Sequence, residues 1–362
     1  MQSLDEKTWK QLSAFGDGAP LHIETTNSSI DGIRLIDDGE KSVPYITRSD
    51  ANNGLARFVS AKNYEFGSDD GGCITVGLDT QTAFYQPHKF VTGQNVQVIT
   101  GENISEDVAQ FLVPILRQQM TAKFNWGGNG ATLGRMKRLS VMLPVTDSGE
   151  PDYAYMAEYA QQKRNAMLAK YRAYVEARIA ELGEVAEIPA LDEKEWKPIF
   201  ISSMFELVRG RENNMAMLED GDTPLISAKA NNNGLKGFVH NPKKIIAGQC
   251  ITLNNDGDGG AGLAYYQPAN MALDSHVTAL VPLIDMSAFV MLFIAKCISG
   301  LHGFFGHGLS ISNPRAKRLR IMLPVTASGE PDYKYMEQYA KNMMLRKYQQ
   351  YLTFLQQRSD AR

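Results

Sequence analysis

A chain of 362 residues, 43% of them hydrophobic, is long enough for two globular domains and ordinary for a folded protein. A formal net charge of −3 excludes a protein held on nucleic acid by bulk positive charge, so any such role must rest on local clusters. Three cysteines, Cys73, Cys250 and Cys297, are too few and too odd in number for a disulfide framework and predict buried, reduced thiols.

Taken in order, the chain opens on MQSLDEKTWK, which has no apolar signal region, so a cytoplasmic protein is expected. VPYITRSDANNGLARFV at 43–59 and the pair GCITV…AFYQP read as short strands joined by Gly/Asn turns. A helix is predicted over roughly 105–123, then a glycine-rich loop, WGGNGATLGRMK at 126–137. The strand RLSVMLP follows, and a long helix over about 152–183, opened by Pro151-Asp152. The same order then returns. DEKTWK at 5–10 becomes DEKEWK at 192–197, the NNG segment recurs as TPLISAKANNNGLKGFV at 223–239, and AFYQP recurs as AYYQP. A second apolar helix is predicted over 285–300. Its core, Met286 to Ile298, is about half the roughly 20 residues that would span a bilayer. The loop FFGHGLSISNPRAK at 304–317 precedes RLRIMLPVTASGEPDYKYMEQYA at 318–340, which matches residues 138–160 at 17 of 23 positions with an offset of 180. A last helix is predicted over 332–357.

The chain is therefore read as α+β, two repeated α/β domains each followed by a long helix. The expected divisions are a first domain over 1–150, helix and linker over 151–187, a second domain over 188–330, and a terminal helix over 331–362. Leu168, Tyr171, Val175 and Leu182 form an apolar stripe, and Tyr348, Tyr351 and Leu355 stand 180 residues beyond its first three members. Two such stripes predict that the long helices pair antiparallel, with pseudo-two-fold symmetry between the halves.

This order of segments resembles the DNA specificity subunits of type I restriction–modification systems. It is most similar to the related type IIB specificity subunits, which act beside a fused nuclease–methyltransferase chain. The resemblance spans the whole chain. It is carried by the Gly/Pro-led strands DGEKSVPYITRS and DGDTPLISAKA, the NNG loops, FYQP and YYQP, the aromatic-glycine loops, and the LPV…GEPDYxYM junctions. It implies that each globule is a target recognition domain reading one half of a bipartite duplex site, with the helices as the ruler between them. It implies a partner methyltransferase and nuclease, with S-adenosylmethionine and Mg in the partner and no cofactor here. No membrane association is expected.

Candidate DNA contacts follow from residue chemistry. Arg135 and Lys137 flank the first glycine loop, and Arg315, Lys317 and Arg320 the second; such cations can hold phosphates while nearby loops probe bases. Asn52 and Asn232 of the NNG loops can pair with adenine, although asparagine is equally the residue of left-handed turns. Arg48, Lys62, Lys229 and Lys236 lie near these loops, and His307 sits in the second glycine loop. Trp126, Phe304 and Phe305 are read as loop anchors. Tyr155, Tyr159, Tyr335 and Tyr339 are candidates for partner docking on the helices.

Catalytic and metal readings fail on chemistry. NNDGDGG at 254–260 starts like a calcium loop, but Tyr265 stands where a bidentate glutamate is required. GGNGATLG is not a dinucleotide fingerprint, the PD pairs open helices, and NPRA at 313–316 is not a methyltransferase motif. A non-catalytic recognition subunit is expected. The alternative is a duplicated protein-interaction scaffold that binds no DNA, which the near-neutral charge would suit.

Overall fold

In both halves the first strand of the globule pairs with its last. β1 (Trp9–Ser13) runs antiparallel to β9 (Ser140–Pro144), with Trp9 opposite Pro144. β10 (Trp196–Phe200) pairs the same way with β19 (Arg320–Pro324), Trp196 opposite Pro324. The structure is a computed structural model and describes residues 2–16, 18–124, 130–213, 217–257, 260–306 and 308–360; side chains are described through residue 357. It divides into two compact units, Met1–Tyr171 and Arg172–Arg362.

The first unit contains β2 (His22–Thr25), β3 (Val43–Ile46), β4 (Leu55–Val59), β5 (Cys73–Gly77), β6 (Ala83–Gln86), β7 (Val91–Thr92) and β8 (Val96–Thr100). One sheet has the order β2-β8-β5-β6 and a smaller one β4-β3-β7, with β3 and β7 parallel. All five residues of β5 are buried, as an unbroken run of apolar and β-branched residues in a central strand should be. α1 (Glu106–Lys123) covers the sheet. Ser105 caps it by accepting from the Val108 N–H at 3.2 Å, and Glu106 and Asp107 face the positive end of its dipole. Its buried residues Val108, Leu112, Leu116 and Met120 recur every fourth position, and Pro114 falls on the open side. Burying one such leucine contributes about 1.5–3 kcal/mol. The short α2 (Leu133–Met136) leads into β9, and α3 (Tyr153–Leu182) follows.

The second unit repeats the plan. α4 (Ile201–Met204), β11 (Phe205–Arg209), β12 (Asp220–Ile226), β13 (Leu235–Val239), β14 (Ile245–Ile246), β15 (Cys250–Asn254), β16 (Ala264–Gln267), β17 (Met271–Leu273) and β18 (Val277–Pro282) precede α5 (Ala288–Ser299) and α6 (Asn313–Lys317). The sheet orders are β11-β18-β15-β16 and β13-β12-β17-β14. The register slips between Leu225 and Ile226 in β12, as it does between Tyr45 and Ile46 in β3. Both irregularities stand just before the NNG turn closes on the strand. Cys73 and Cys250 are buried in β5 and β15, and Cys297 is half-buried in α5.

α7 (Tyr333–Asp360) completes the second unit, which also holds the last turns of α3 from Arg172. There Val175, Leu345 and Leu355 are buried, and Tyr174 meets Tyr348 edge to face at 6.5 Å. Beyond α3, Asn342 clasps the backbone of Ala186, its Nδ2 donating to the carbonyl at 2.8 Å and its Oδ1 accepting from the N–H at 3.0 Å. The chain thus advances from 174 to 186 while its neighbour recedes from 348 to 342, so these segments are antiparallel. α3 stops at Gly183, whose φ of 78° is the left-handed C-terminal geometry.

The helix openings refine the sequence reading. Asp152 and Asp332 are N-caps, each accepting from the N–H three residues on, at 3.0 and 3.1 Å, so the prolines stand one residue outside the cap. The free oxygen of each carboxylate takes a lysine: Lys7 to Asp152 at 2.7 Å and Lys194 to Asp332 at 2.8 Å. The same lysines lie over the rings of Tyr155 and Tyr335 at 5.0 and 4.9 Å. This explains the repeated DEKxWK: its lysine clamps the globule's entry to the start of its long helix. The hydrogen bond from Lys7 holds Asp152 below the ordinary carboxylate value. At Asp332 burial pushes upward, but the Lys194 and Tyr335 hydrogen bonds outweigh it and the net shift is down.

Candidate nucleic-acid interface

The NNG turns are built from consecutive left-handed residues. Asn52 and Asn53 have φ of 51° and 54°, Asn232 and Asn233 both 50°. Asparagine tolerates this conformation better than other L-residues, so the backbone alone accounts for the type at all four positions. Gly54 and Gly234 follow at positive φ, where a Cβ would lie 2.9 Å from the Thr47 and Ser227 carbonyls. The four asparagine side chains remain exposed.

Each turn is latched by the glutamine of the FYQP or YYQP segment, a residue the sequence reading gave no role. Gln86 Nε2 donates to the Asn53 carbonyl at 3.0 Å and to Thr75 Oγ1 at 2.9 Å. Thr75 Oγ1 donates onward to the Phe84 carbonyl at 3.3 Å. Gln267 does the same with the Asn233 carbonyl and Thr252 Oγ1, at 2.9 and 3.1 Å, and Thr252 donates to Tyr265 O. Both glutamines are buried. The only signal available beforehand was the repetition of the glutamine itself.

The predicted cations fall into different settings. In the first unit Arg48 pairs with Asp79, Lys62 with Asp38 at 3.0 Å, and Arg135 donates to the Gly130 carbonyl at 3.1 Å. Lys137 is exposed. Arg48 and Asp79 share the tip with Gly130, whose Cβ position is 3.6 Å from the Asp79 carboxylate; Lys62 pairs instead with the loop at Asp38. In the second unit Lys229 donates to the Leu235 carbonyl at 3.2 Å, and it lines a cavity of about 650 Å³ together with Lys236. Arg315 donates to the carbonyl of Ser310, which also lines that cavity, and Lys317 is exposed. Arg320 stands apart, over the Phe200 ring at 4.3 Å on the β10–β19 ribbon, so packing explains it. Asp79, Asn95 and His276 were not singled out from sequence, and Asp256 only as a position of the apparent calcium loop, yet they line or close the two tips. His307 and Trp126 lie outside the described residues. Phe305 packs on the core as an anchor should, whereas Phe304 is 71% exposed and anchors nothing.

Of the four tyrosines, Tyr155 and Tyr335 belong to the interior, and Tyr159 and Tyr339 are half-buried against their own globules. Tyr155 and Tyr335 are 7% and 6% exposed, and their hydroxyls donate to the carbonyls of Gln2 and Pro189 at 3.2 and 3.0 Å. Tyr159 and Tyr339 meet Phe111 and Phe293 edge to face, both at 5.6 Å. Tyr155 and Tyr335 thus have almost no ring surface left for a partner. Exposed apolar residues on the long helices are instead Met167, Tyr171, Tyr174, Met343 and Phe354.

Among the described residues no three His, Cys, Asp or Glu side chains gather as a metal site would need, and no helix is long and apolar enough to cross a membrane. Asn254, the first position of the apparent calcium loop, is buried and donates to the Lys229 carbonyl at 3.0 Å.

Comparison with known proteins agrees with this duplicated plan. S.BcgI of Heyndrickxia coagulans, the specificity subunit of a type II restriction enzyme, is 25% identical over 306 residues, covering 84% of this chain and 86% of that one. The crystal structure of a type I restriction–modification S subunit from M. genitalium shares the fold at a TM-score of 0.50 and 13% identity, covering 100% of this chain and 96% of that one. The profile of the type I restriction modification DNA specificity domain matches twice, over residues 22–171 and 193–351, one copy for each repeat. With most of its length inside those two matches, the chain belongs to the type I restriction modification DNA specificity domain family.

Proposed function

We propose that the chain is the reading subunit of a restriction–modification assembly. Each unit reads one half of a bipartite duplex site, and the bound chain positions a partner methyltransferase–nuclease. The observation that carries this reading is the contrast within the repeat. The Lys–Asp–Tyr clamp and the glutamine latch are the same in both units, while the tips they support differ: Arg48, Thr80 and Asn95 in one, Ala228, Gly257 and His276 in the other. A fixed frame with two different tips suits two different half-sites, since base edges are read by side chains in the grooves. Exposed Lys137, Lys236 and Lys317 supply phosphate contacts, which position without specifying. Methyl transfer and strand cleavage, with S-adenosylmethionine and Mg, belong to the partner, and the chain itself performs no chemistry. The partner docks on the outward faces of the long helices, where Met167 and Phe354 are open. The duplicated-scaffold alternative gains no support from the family match.

The test is co-purification with the protein's natural partner followed by mapping of methylated positions. A motif of two short specified blocks around an unspecified gap is expected. Replacing residues 188–330 with a related domain should change one block only. The affinity of the assembly should fall steeply with salt, and Lys137→Ala should lower the logarithmic slope by about 0.9. A contiguous motif, or binding indifferent to salt, refutes the reading.

A further inference from the structure

The repeat allows the two tips to be compared residue by residue. Ala228 stands where the first unit has Arg48, Asp256 where it has Asp79, and His276 where it has Asn95. The backbone bears out the equivalence. The Leu78 N–H donates to the Asn95 carbonyl at 2.9 Å and the Asn255 N–H to the His276 carbonyl at 2.8 Å. The Leu78 carbonyl accepts from the Ala131 N–H at 2.8 Å, and the Asn255 carbonyl from the Ile311 N–H at 2.6 Å.

In the first unit the tip is closed by its own side chains. Arg48 pairs with Asp79, Asn95 Nδ2 donates to the same carboxylate oxygen at 3.1 Å, and Thr80 Oγ1 donates to the Arg48 carbonyl at 2.7 Å. In the second unit each of these parts is missing or turned away. Ala228 has no donor, Gly257 replaces the threonine, and His276 Nδ1 is held by Asp274 at 2.8 Å. What the arginine would fill is open: the cavity of about 650 Å³, lined by Ala228, Lys229, Lys236, Asp256, Asp274 and His276 among others. That volume is in the range of pockets that hold small planar molecules. Just before Asp256 in the chain, both amide atoms of Asn255 and the Oδ1 of Asn254 are buried and have no hydrogen-bond partner. Buried polar groups are ordinarily paired with protein or water.

We propose that this cavity is the base-reading pocket of the second unit. Asp256 accepts from the exocyclic amino group of a cytosine or an adenine at the major-groove edge, and Lys236 holds a neighbouring phosphate. Arg48 in the first unit is an internal stand-in for that donor, so the first unit reads its half-site without this carboxylate. A carboxylate is the natural partner of a base amino group, and it repels the acceptor edges of guanine and thymine. The assignment rests on the DNA-reading function proposed above.

The experiment is selection of bound duplexes from a randomised library by the complete assembly, with wild type, Asp256→Ala and Ala228→Arg. In the wild type, the base enriched at one position of the second half-site identifies the amino group as that of cytosine or of adenine. Asp256→Ala should relax that position about 10-fold or more. Ala228→Arg, by pairing with Asp256 as Arg48 does with Asp79, should relax the same position; both should leave the first half-site intact. An unchanged second half-site in both variants overturns the assignment. A wild-type assembly that enriches no bipartite site overturns the parent reading instead. Asp256 is at the cavity's edge rather than in the core, so its alanine variant should fold, and a melting curve checks that it does.

Discussion

Replacing Gln86 with methionine keeps the length of the side chain and removes its amide. Two hydrogen bonds are lost, to Asn53 O at 3.0 Å and Thr75 Oγ1 at 2.9 Å. The two acceptors are not equivalent. Asn53 is exposed, so water can replace the lost donor at modest cost. Thr75 is 3% exposed and keeps only its outgoing bond to Phe84 O, so its oxygen is left without a donor in a dry place. One net hydrogen bond of about 1 kcal/mol and one partly unmet buried acceptor of about 1 kcal/mol sum to roughly 2 kcal/mol. In a unit of this size that is about 4–8 °C in the melting temperature. The loss should be local as well as global, because the latch adds a side-chain bond to a turn held by its backbone, Gly54 N–H to Ala51 O and Leu55 N–H to Asn52 O. Urea unfolding of wild type and Gln86→Met, with amide exchange read at Leu55 and Gly54, measures both effects. A variant within about 0.5 kcal/mol of wild type, with unchanged exchange in the NNG turn, would refute the latch.

Further outcomes follow from the same structure. Lys7→Met should cost about 1–3 kcal/mol at neutral pH by removing a charge-assisted bond. Asp152 is held below its unfolded value of 3.8, so its contribution is complete above that value and is lost as pH falls through the lower folded one. The gap between wild type and variant should therefore close below about pH 4 in acid titrations followed by circular dichroism. Leu345→Ala, at a fully buried position of α7, should destabilise the second unit by about 2–5 kcal/mol in denaturant melts; a loss under 1 kcal/mol would mean that α7 packs loosely. Burial pushes the thiols of Cys73 and Cys250 up to about 12 and that of Cys297 to about 11, so none should react with a disulfide reagent at pH 8 until the protein unfolds.

Much of the architecture was legible because it is written twice. A strand-turn-helix phrase that recurs after 180 residues identifies its own boundaries, and the predicted long helices differ from the observed ones by a residue or so at their starts. The N-cap explains that residue: Pro151 reads as a first helical position until Asp152 is seen accepting from Tyr155. The tip was less legible. Arg48 reads as a free cation, and only folding brings Asp79 to it from 31 residues away. Gln86 is one polar residue in an apolar strand, and no periodicity marks it until the NNG turn lies over it. The tyrosines misled for a related reason. Tyr155 and Tyr159 are correctly placed on one helical face, but that face meets Phe111 of α1 and the Lys7 arm of the same globule.

The pairing of first strand with last has a consequence for how such a molecule changes over time. Because β1 lies against β9, and β10 against β19, each lobe's ingress and egress sit side by side. Everything between those two strands is a cartridge plugged into one socket. An exchanged segment would have to keep the two strand ends and the aromatic face, Phe111 or Phe293, on which the following helix rests.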